Sequence, residues 1–168
     1  MKVLVTAASK HGSTFEIAEA IAQELTSGGH VVTVRQLPGA DVDGYDAVVL
    51  GSAVYIGRWL KEATDFVRGN GRALRQRRVW LFSSGPVGDL PRPEEPAVDV
   101  SDILRMTAAA GHAVFAGRLD RTRLTFGEKA IVLALHAPEG DFRDWTAIRD
   151  WAVFVAADLR APSVAASS

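Results

Sequence analysis

Five short apolar runs alternate with segments of helical periodicity along this chain, and this alternation restricts the fold more than any other feature. Each run is rich in β-branched residues and is too short for an ordinary helix, which favours a buried strand. The predicted strands are KVLVTA, HVVTVRQL, YDAVVLGSA, RRVWLFSSG and HAVFAGRL. Strands separated by helices pair in parallel through right-handed crossovers, so the sequence predicts an α/β fold with a three-layer α/β/α sandwich.

The predicted helices carry apolar residues at spacings of three and four and are bounded by capping residues and glycines. The first helix is predicted to begin near Thr14 and to stop at Gly28 and Gly29, and the second to begin near Leu60 and to end or be interrupted at Gly69 and Gly71. The third is predicted to have its cap at Ser101 or Asp102, and the last to have its cap at Asp144. Residues 129–137, KAIVLALHA, are predicted to form a helix that covers the core, with a lipid-facing surface as the alternative.

The composition is that of one globular domain and argues against several classes of function. With 168 residues, of which 48% are hydrophobic, the chain can bury one sizeable core. We expect a single domain over residues 1–160 and a flexible tail over residues 161–168.

A net charge of −1 argues against nucleic-acid binding, and without cysteine no disulfide or thiolate-ligated metal can form. No metal site is expected. No signal peptide or membrane span is apparent, so a cytoplasmic location is expected.

In an open parallel sheet, ligands bind beyond the carboxyl ends of the strands, and three loops rich in Gly, Ser or Pro leave those ends. They are AASKHGST, GSAVYIGRW and SSGPVGDLPRP. In the first loop, Ser9, Ser13 and Thr14 supply hydroxyl groups, and the following helix directs free N–H groups at them. Gly12 allows the backbone to approach a ligand closely. This combination suits a phosphate dianion, with helix capping as the alternative. The spacing fits neither a Walker loop nor a dinucleotide fingerprint.

The first loop, SKHGST, resembles the (S/T)-x-T-G-x-T phosphate loop of flavodoxins, with His11 in place of a threonine. The order of elements is similar to that of the flavodoxin-like fold, which implies a five-stranded parallel sheet of order 2-1-3-4-5. More closely, residues 1 to about 160 resemble the flavodoxin-domain group that includes the menaquinone-dependent protoporphyrinogen oxidases. The shared segments are SKHGSTFEIA, YDAVVLGSAVYIGRWLKEATDFV, VWLFSSGP and FAGRLD…GDFRDW.

The resemblance implies FMN as the cofactor and assigns residues to it by position. The phosphate would lie against Ser9, Lys10, His11, Gly12, Ser13 and Thr14. The isoalloxazine ring would be held by Ser52, Ala53, Val54, Tyr55, Ile56, Gly57 and Trp59 of the second loop and by Ser84, Gly85, Pro86, Val87, Gly88 and Asp89 of the third. Tyr55 or Trp59 could stack on the ring, with packing against neighbouring elements as the alternative. Tyr55, Arg58 and Trp59 would border the substrate side.

The function expected from this resemblance is that of an FMN-dependent oxidoreductase acting on a quinone, a porphyrinogen-like or another small conjugated substrate. The flavin would perform the chemistry without a catalytic side chain. The third loop lacks the acidic and aromatic residues that close over the flavin in flavodoxins, which predicts an open site. A flavodoxin-type electron carrier with a redox partner protein is the alternative, although a nearly neutral chain lacks an obvious acidic docking face. A phosphoacceptor receiver domain is excluded, because Ala7-Ala8 and Gly51-Ser52 stand where acidic residues are needed.

Overall fold

The computed structural model describes residues 1–85, 98–134 and 136–162. The strands are β1 (Lys2–Ala8), β2 (Val31–Gln36), β3 (Ala47–Tyr55), β4 (Arg58–Trp59), β5 (Arg78–Ser84), β6 (Gly111–Phe115), β7 (Arg118–Leu119) and β8 (Gly140–Asp141). The helices are α1 (Ser13–Ser27), α2 (Lys61–Arg75), α3 (Ser101–Thr107), α4 (Phe126–Ala134) and α5 (Trp145–Arg160). A short 3₁₀ helix, Arg121–Arg123, precedes α4.

Five strands form a parallel sheet in the order β2-β1-β3-β5-β6, which confirms the predicted order of the five main strands. In this register Val5 of β1 lies opposite Val34 of β2 and Val49 of β3. The short β4 pairs antiparallel with the end of β3, and β7 pairs antiparallel with β8 in a separate ribbon. The chain order reverses between β1 and β3, and a binding cleft is expected at their carboxyl ends.

Side chains that alternate along the strands fill two cores, one on each face of the sheet. On one face Val5 packs in a cluster with Ile21 of α1 and Val155 of α5, and all three are fully buried. On the other face Leu4 packs in a cluster with Phe66 of α2. The helices therefore cover both faces, as the predicted three-layer sandwich requires.

The second helix does not end where its glycines predict. α2 continues through Gly69 and Gly71 without interruption. Its buried residues lie on both sides of these glycines, with Phe66 and Val67 before them and Leu74 after them. Packing of this apolar face on the sheet outweighs the cost of about 1 kcal/mol for each glycine in a helix interior.

The predicted N-terminal caps of α3 and α5 have different outcomes in the structure. The predicted cap of α3 at Ser101 or Asp102 is wrong, because the carboxylate of Asp99 accepts the hydrogen bond from the Ser101 N–H at 3.0 Å. The predicted cap of α5 is confirmed, since the Asp144 carboxylate accepts a hydrogen bond from the Ala147 N–H at 3.0 Å.

The segment between β6 and α5 departs furthest from the sequence prediction. The fifth predicted strand ends at Phe115, and Arg118–Leu119 pair with β8 instead of the main sheet. The predicted core-covering role of α4 is wrong: Ile131 and Leu133 are 41% and 70% exposed, whereas Glu128 is buried. The lipid-facing alternative for residues 129–137 stays a prediction. Among the helices of the described residues, none is long and apolar enough to cross a bilayer.

Candidate functional site

A cleft of about 190 Å³ opens where the predicted loops meet at the carboxyl ends of β1, β3 and β5. Two walls come from the loops after β1 and β3, and a third comes from the end of β5. The fourth wall comes from residues between Gly117 and Ala137, for which the sequence predicted no site residue. The predicted residues that line the cleft are Ser9, Lys10, His11, Ser13, Thr14, Ala53, Val54, Tyr55, Ile56, Ser84 and Gly85.

The first loop leaves a buried hydroxyl group without a hydrogen-bond partner among the described residues at the start of α1. Gly12 has a φ of 86°, which suits glycine, and its carbonyl accepts the hydrogen bond from the Glu16 N–H at 3.0 Å. The Ser9 hydroxyl accepts a hydrogen bond from the Thr14 N–H at 3.2 Å. The N-cap residue of α1 is Gly12, so neither Ser13 nor Thr14 caps this helix. The Ser13 hydroxyl is buried and finds no hydrogen-bond partner among the described residues, so it can serve a ligand.

A buried carboxylate that the sequence did not predict, Glu128, joins the first two loops. It is 6% exposed, and its Oε1 lies 2.7 Å from Lys10 Nζ and 3.1 Å from His11 Nε2. The Tyr55 hydroxyl donates to the same oxygen at 3.0 Å, and the Thr125 N–H donates to Oε2 at 2.7 Å. Burial raises the pKa of Glu128, but these four hydrogen bonds outweigh burial and hold the pKa far below its ordinary value. The carboxylate is therefore ionised at neutral pH.

Tyr55 is the aromatic side chain that the structure places in the cleft. Its ring lines the wall formed by the second loop, and Lys10 Nζ lies 4.8 Å from the ring centre. Burial, together with the hydrogen bond to ionised Glu128, raises the pKa of Tyr55 to about 12. The phenol is therefore a protonated donor at neutral pH, and the hydrogen bond fixes the position of the ring.

Trp59, the other predicted stacking residue, lies outside the cleft. Ile56 and Gly57 have φ angles of 49° and 70°, and this turn folds β4 back onto β3. The Trp59 indole is 6% exposed and donates its N–H to Ser83 Oγ at 2.7 Å, within the core beneath α2 and α3. Of the two aromatic candidates, Tyr55 is thus the one positioned to face a ligand, and Trp59 packs against neighbouring elements.

Several other predicted residues also lie away from the cleft surface. Those within the described residues are Gly12, Ser52, Gly57 and Arg58. Ser52 is fully buried, where its hydroxyl donates to the Ala53 carbonyl at 2.8 Å and accepts from the Leu60 N–H at 3.0 Å. The Ser52 hydroxyl therefore links the two ends of the second loop. The predicted residues Pro86, Val87, Gly88 and Asp89 lie outside the described residues.

The fourth wall holds the site residues that sequence reasoning missed. They are Gly117, Arg118, Leu119, Asp120, Arg123, Leu124, Ile131, Val132 and Ala137. The family resemblance includes the segment FAGRLD, which contains part of this wall, but it implies no role for any residue there. Arg123 Nη1 donates to the carbonyl oxygen of His11 at 3.0 Å, which joins the wall to the first loop. A Cβ on Gly117 would lie 3.3 Å from the Gly85 nitrogen, so the wall packs closely against the end of β5.

Comparison with known proteins identifies the family. Residues 4–146 match the family model described as a flavodoxin domain. The chain belongs to the flavodoxin-domain family. Its fold is similar to that of a flavodoxin from the domain Archaea, with a TM-score of 0.64 at 13% identity, covering 96% of this chain and 100% of that chain. It is also similar to oxidised flavodoxin 1 from Bacillus cereus, with a TM-score of 0.54 at 21% identity, covering 78% of this chain and 97% of that chain.

A larger protein shares the flavodoxin-like fold over part of its length. Rubredoxin oxygen:oxidoreductase from the anaerobe Desulfovibrio gigas superimposes with a TM-score of 0.59 at 15% identity. The match covers 95% of this chain and 37% of that chain. The flavodoxin-like fold predicted from the sequence is therefore confirmed.

The cleft of this flavodoxin-domain protein combines two kinds of chemistry. The start of α1 offers the Ser13 hydroxyl and the N–H groups of a first helical turn, which together suit an anion. The side chains of Tyr55, Ile56, Ile131 and Val132 give the lining an apolar part that suits a flat ring. Within the described ranges, no group of three or more His, Asp or Glu side chains is placed to hold a metal ion.

Proposed function

We propose that this protein is an FMN-dependent oxidoreductase that acts on a quinone, a porphyrinogen-like or another small conjugated substrate. One observation carries the proposal: a single cleft contains both the Ser13 hydroxyl, unpaired among the described residues, and the fixed aromatic ring of Tyr55. FMN has a phosphate group that fits the first and a flat ring that fits the second. When bound, FMN would supply the electron and hydride chemistry.

The residues that would hold FMN come from three of the four walls of the cleft. Ser13 and Thr14 at the start of α1 would hold the phosphate, where the helix dipole favours negative charge. Tyr55 would pack on the ring, and Ser84 with Gly85 would border its edge. The ionised Glu128 holds the Tyr55 hydroxyl in place through a hydrogen bond of 3.0 Å.

The exposed apolar side chains at the cleft support a conjugated substrate. Ile56 is 79% exposed and Ile131 is 41% exposed, and both line the cleft. Exposed apolar residues beside a cleft favour a partly apolar ligand such as a quinone ring. The resemblance to the group that includes the menaquinone-dependent protoporphyrinogen oxidases supports the same class of substrate.

The test is the anaerobic reoxidation of the FMN-loaded, photoreduced protein by a water-soluble naphthoquinone. Two electrons and two protons pass to the quinone, and the recovery of flavin absorbance gives the rate. We expect the rate to saturate with quinone concentration, because the substrate binds before it reacts. Ile56→Ser should raise the half-saturating concentration of quinone when the protein is saturated with FMN. A rate that stays linear in quinone concentration, or a protein that binds no FMN, would contradict the proposal.

A flavodoxin-type electron carrier is the second candidate, and the similarity of the fold to two flavodoxins favours it. Such a carrier needs a docking face for a partner protein, and the net charge of −1 gives little support for an acidic one. Potentiometry separates the two functions. Two widely separated one-electron potentials, with a very low second value and linear quinone kinetics, would identify a carrier.

A further inference from the structure

Two of the residues predicted to bind the phosphate already contact another anion. Lys10 Nζ and His11 Nε2 both contact Glu128 Oε1, at 2.7 and 3.1 Å. Glu128 is only 6% exposed, so water cannot replace these partners freely. Moving either side chain to a ligand would leave a buried carboxylate with fewer partners, which is costly. The Lys10 ammonium and the His11 ring are therefore both directed at Glu128.

Two arginines beside the first loop are committed as well. Arg143 is 3% exposed, and its guanidinium contacts Asp141 and Glu16, each at 2.6 Å. Arg123 uses Nη1 to donate to the carbonyl oxygen of His11 at 3.0 Å. Both guanidinium groups therefore hold the loop and the first turn of α1 in place.

Arg118 differs from these side chains because part of its guanidinium makes no hydrogen bond to the described residues. It lines the cleft and reaches Glu16 only at 3.5 Å, whereas Arg143 holds Glu16 at 2.6 Å. The buried Nη2 of Arg118 lies 3.5 Å from Glu16 Oε1 in an ion pair, but it makes no hydrogen bond to residues 1–85, 98–134 or 136–162. Buried guanidinium donors are rarely left unpaired in native proteins. The unused donor therefore indicates a ligand at this wall of the cleft.

Arg118 and Ser13 both line the cleft, and the Ser13 hydroxyl is unpaired over the same residues. Arg143 Nη1 contacts both the Ser13 carbonyl oxygen, at 3.3 Å, and Glu16 Oε2, at 2.6 Å. Arg118 Nη1 lies 3.5 Å from the same Glu16 oxygen. Arg118 thus reaches the first turn of α1, the helix that begins at Ser13.

We propose that Arg118 and Ser13 bind the phosphate monoester of the flavin cofactor, and that Lys10 and His11 are positioning residues that hold Glu128. The inference rests on the proposed function, because the anion is taken to be that of FMN. A planar guanidinium can give two parallel N–H donors to a phosphate, and the hydroxyl adds another. The wall that begins at β7 then completes the anion site.

The test compares FMN with riboflavin, which has the same ring and lacks the phosphate. In titrations that follow flavin fluorescence, Arg118→Gln should weaken FMN binding by about 10- to 100-fold, the range for a hydrogen bond to a charged group. Riboflavin affinity should stay unchanged and shows that the variant folds. Inorganic phosphate should compete with FMN for the wild-type protein and not for Arg118→Gln. Arg121→Gln, an exposed arginine of the same segment, is the matched control and should bind FMN like the wild type.

The outcomes separate this inference from the proposed function. If the wild type binds neither flavin, the proposed function fails and the inference fails with it. If the wild type binds FMN but Arg118→Gln keeps the same preference for FMN over riboflavin, the inference alone fails. A larger loss of that preference in Lys10→Gln than in Arg118→Gln also overturns it. Should Arg118→Gln not fold, Arg118→Lys keeps the charge, and its preference for FMN should fall in the same direction.

Discussion

Glu128 places a buried negative charge at the meeting point of two loops and a helix. Its two oxygens accept from Lys10, His11, Tyr55 and the Thr125 N–H, at distances of 2.7 to 3.1 Å. Lys10 is half exposed and can return to water if the carboxylate is removed, but Tyr55 is held in the cleft wall. The loss of the charge therefore affects both the stability of the fold and the position of the ring.

Replacement of Glu128 by Gln should lower the free energy of unfolding by about 2 kcal/mol at neutral pH, the magnitude for hydrogen bonds to a charged group. The folded pKa of Glu128 lies below its ordinary value of 4.5. Its contribution is therefore complete above pH 4.5 and is lost as the pH falls through the folded pKa. Urea denaturation at neutral pH and at about pH 3 should show the difference between wild type and variant shrinking at the lower pH.

Glu19→Gln is the control for this experiment, because Glu19 is exposed on α1. It should leave the free energy of unfolding unchanged at both values of pH. A Glu128→Gln variant as stable as the wild type at neutral pH would show that the carboxylate is not paired as described.

The ionisation of Tyr55 can be followed alone, since the chain has two tyrosines and Tyr45→Phe removes the other. In that background the absorbance change of the phenol should have its midpoint at a pH of about 12, the pKa of Tyr55. Adding Glu128→Gln should move the midpoint towards 10.0, the ordinary value, because the hydrogen bond and the negative charge of Glu128 both raise this pKa. A midpoint that does not respond to Glu128→Gln would contradict the contact.

Among single residues, those with local roles could be predicted and those with distant partners could not. Ser9, Gly12 and Ser13 follow one another between a strand and a helix, so their part in a loop can be seen in a short stretch. Glu128 is 117 residues from His11, and a lone acid in an apolar helix belongs to no motif. Arg118 likewise lines the cleft only because the segment after β6 packs against the first loop in the folded chain.

At the scale of elements, hydrophobic periodicity predicted the main strands and helices, and Gly28 marks the end of α1 as predicted, whereas the two glycines inside α2 were misleading. α2 carries Gly69 and Gly71 within its length because packing of its apolar face decides its extent. α4 was predicted to cover the core from its apolar composition, yet Leu133 is exposed and Glu128 is buried. Composition shows that a segment is apolar but does not show which surface it meets.

Two glycine substitutions with opposite signs test this view of the elements. Gly69→Ala should raise the free energy of unfolding by about 0.5–1 kcal/mol, because Gly69 lies inside a helix and a Cβ there meets nothing within 4 Å. Gly51→Ala should lower it by about 1–3 kcal/mol, because the new Cβ would lie 2.1 Å from Phe82 Cζ. Urea denaturation measures both. Destabilisation by Gly69→Ala would indicate a contact or a helix break that the structure lacks.

At the scale of the whole molecule, the strand order and the place of the cleft could be predicted because both follow from general rules. Parallel strands with right-handed crossovers leave few arrangements, and ligands bind where the chain order reverses, here between β1 and β3. The fourth wall could not be predicted, since β7 and β8 are two residues each and carry no periodic pattern. The fold therefore fixes the position of the site, and the segment after β6 completes its lining.

A crystal structure of the protein grown with FMN is the most direct test of the proposed site. It should show the isoalloxazine ring in the cleft against Tyr55, with the phosphate within hydrogen-bonding distance of Ser13 at the start of α1. Crystals in which FMN lies on another surface, or in which a saturating concentration of FMN leaves the cleft without it, would contradict the proposal.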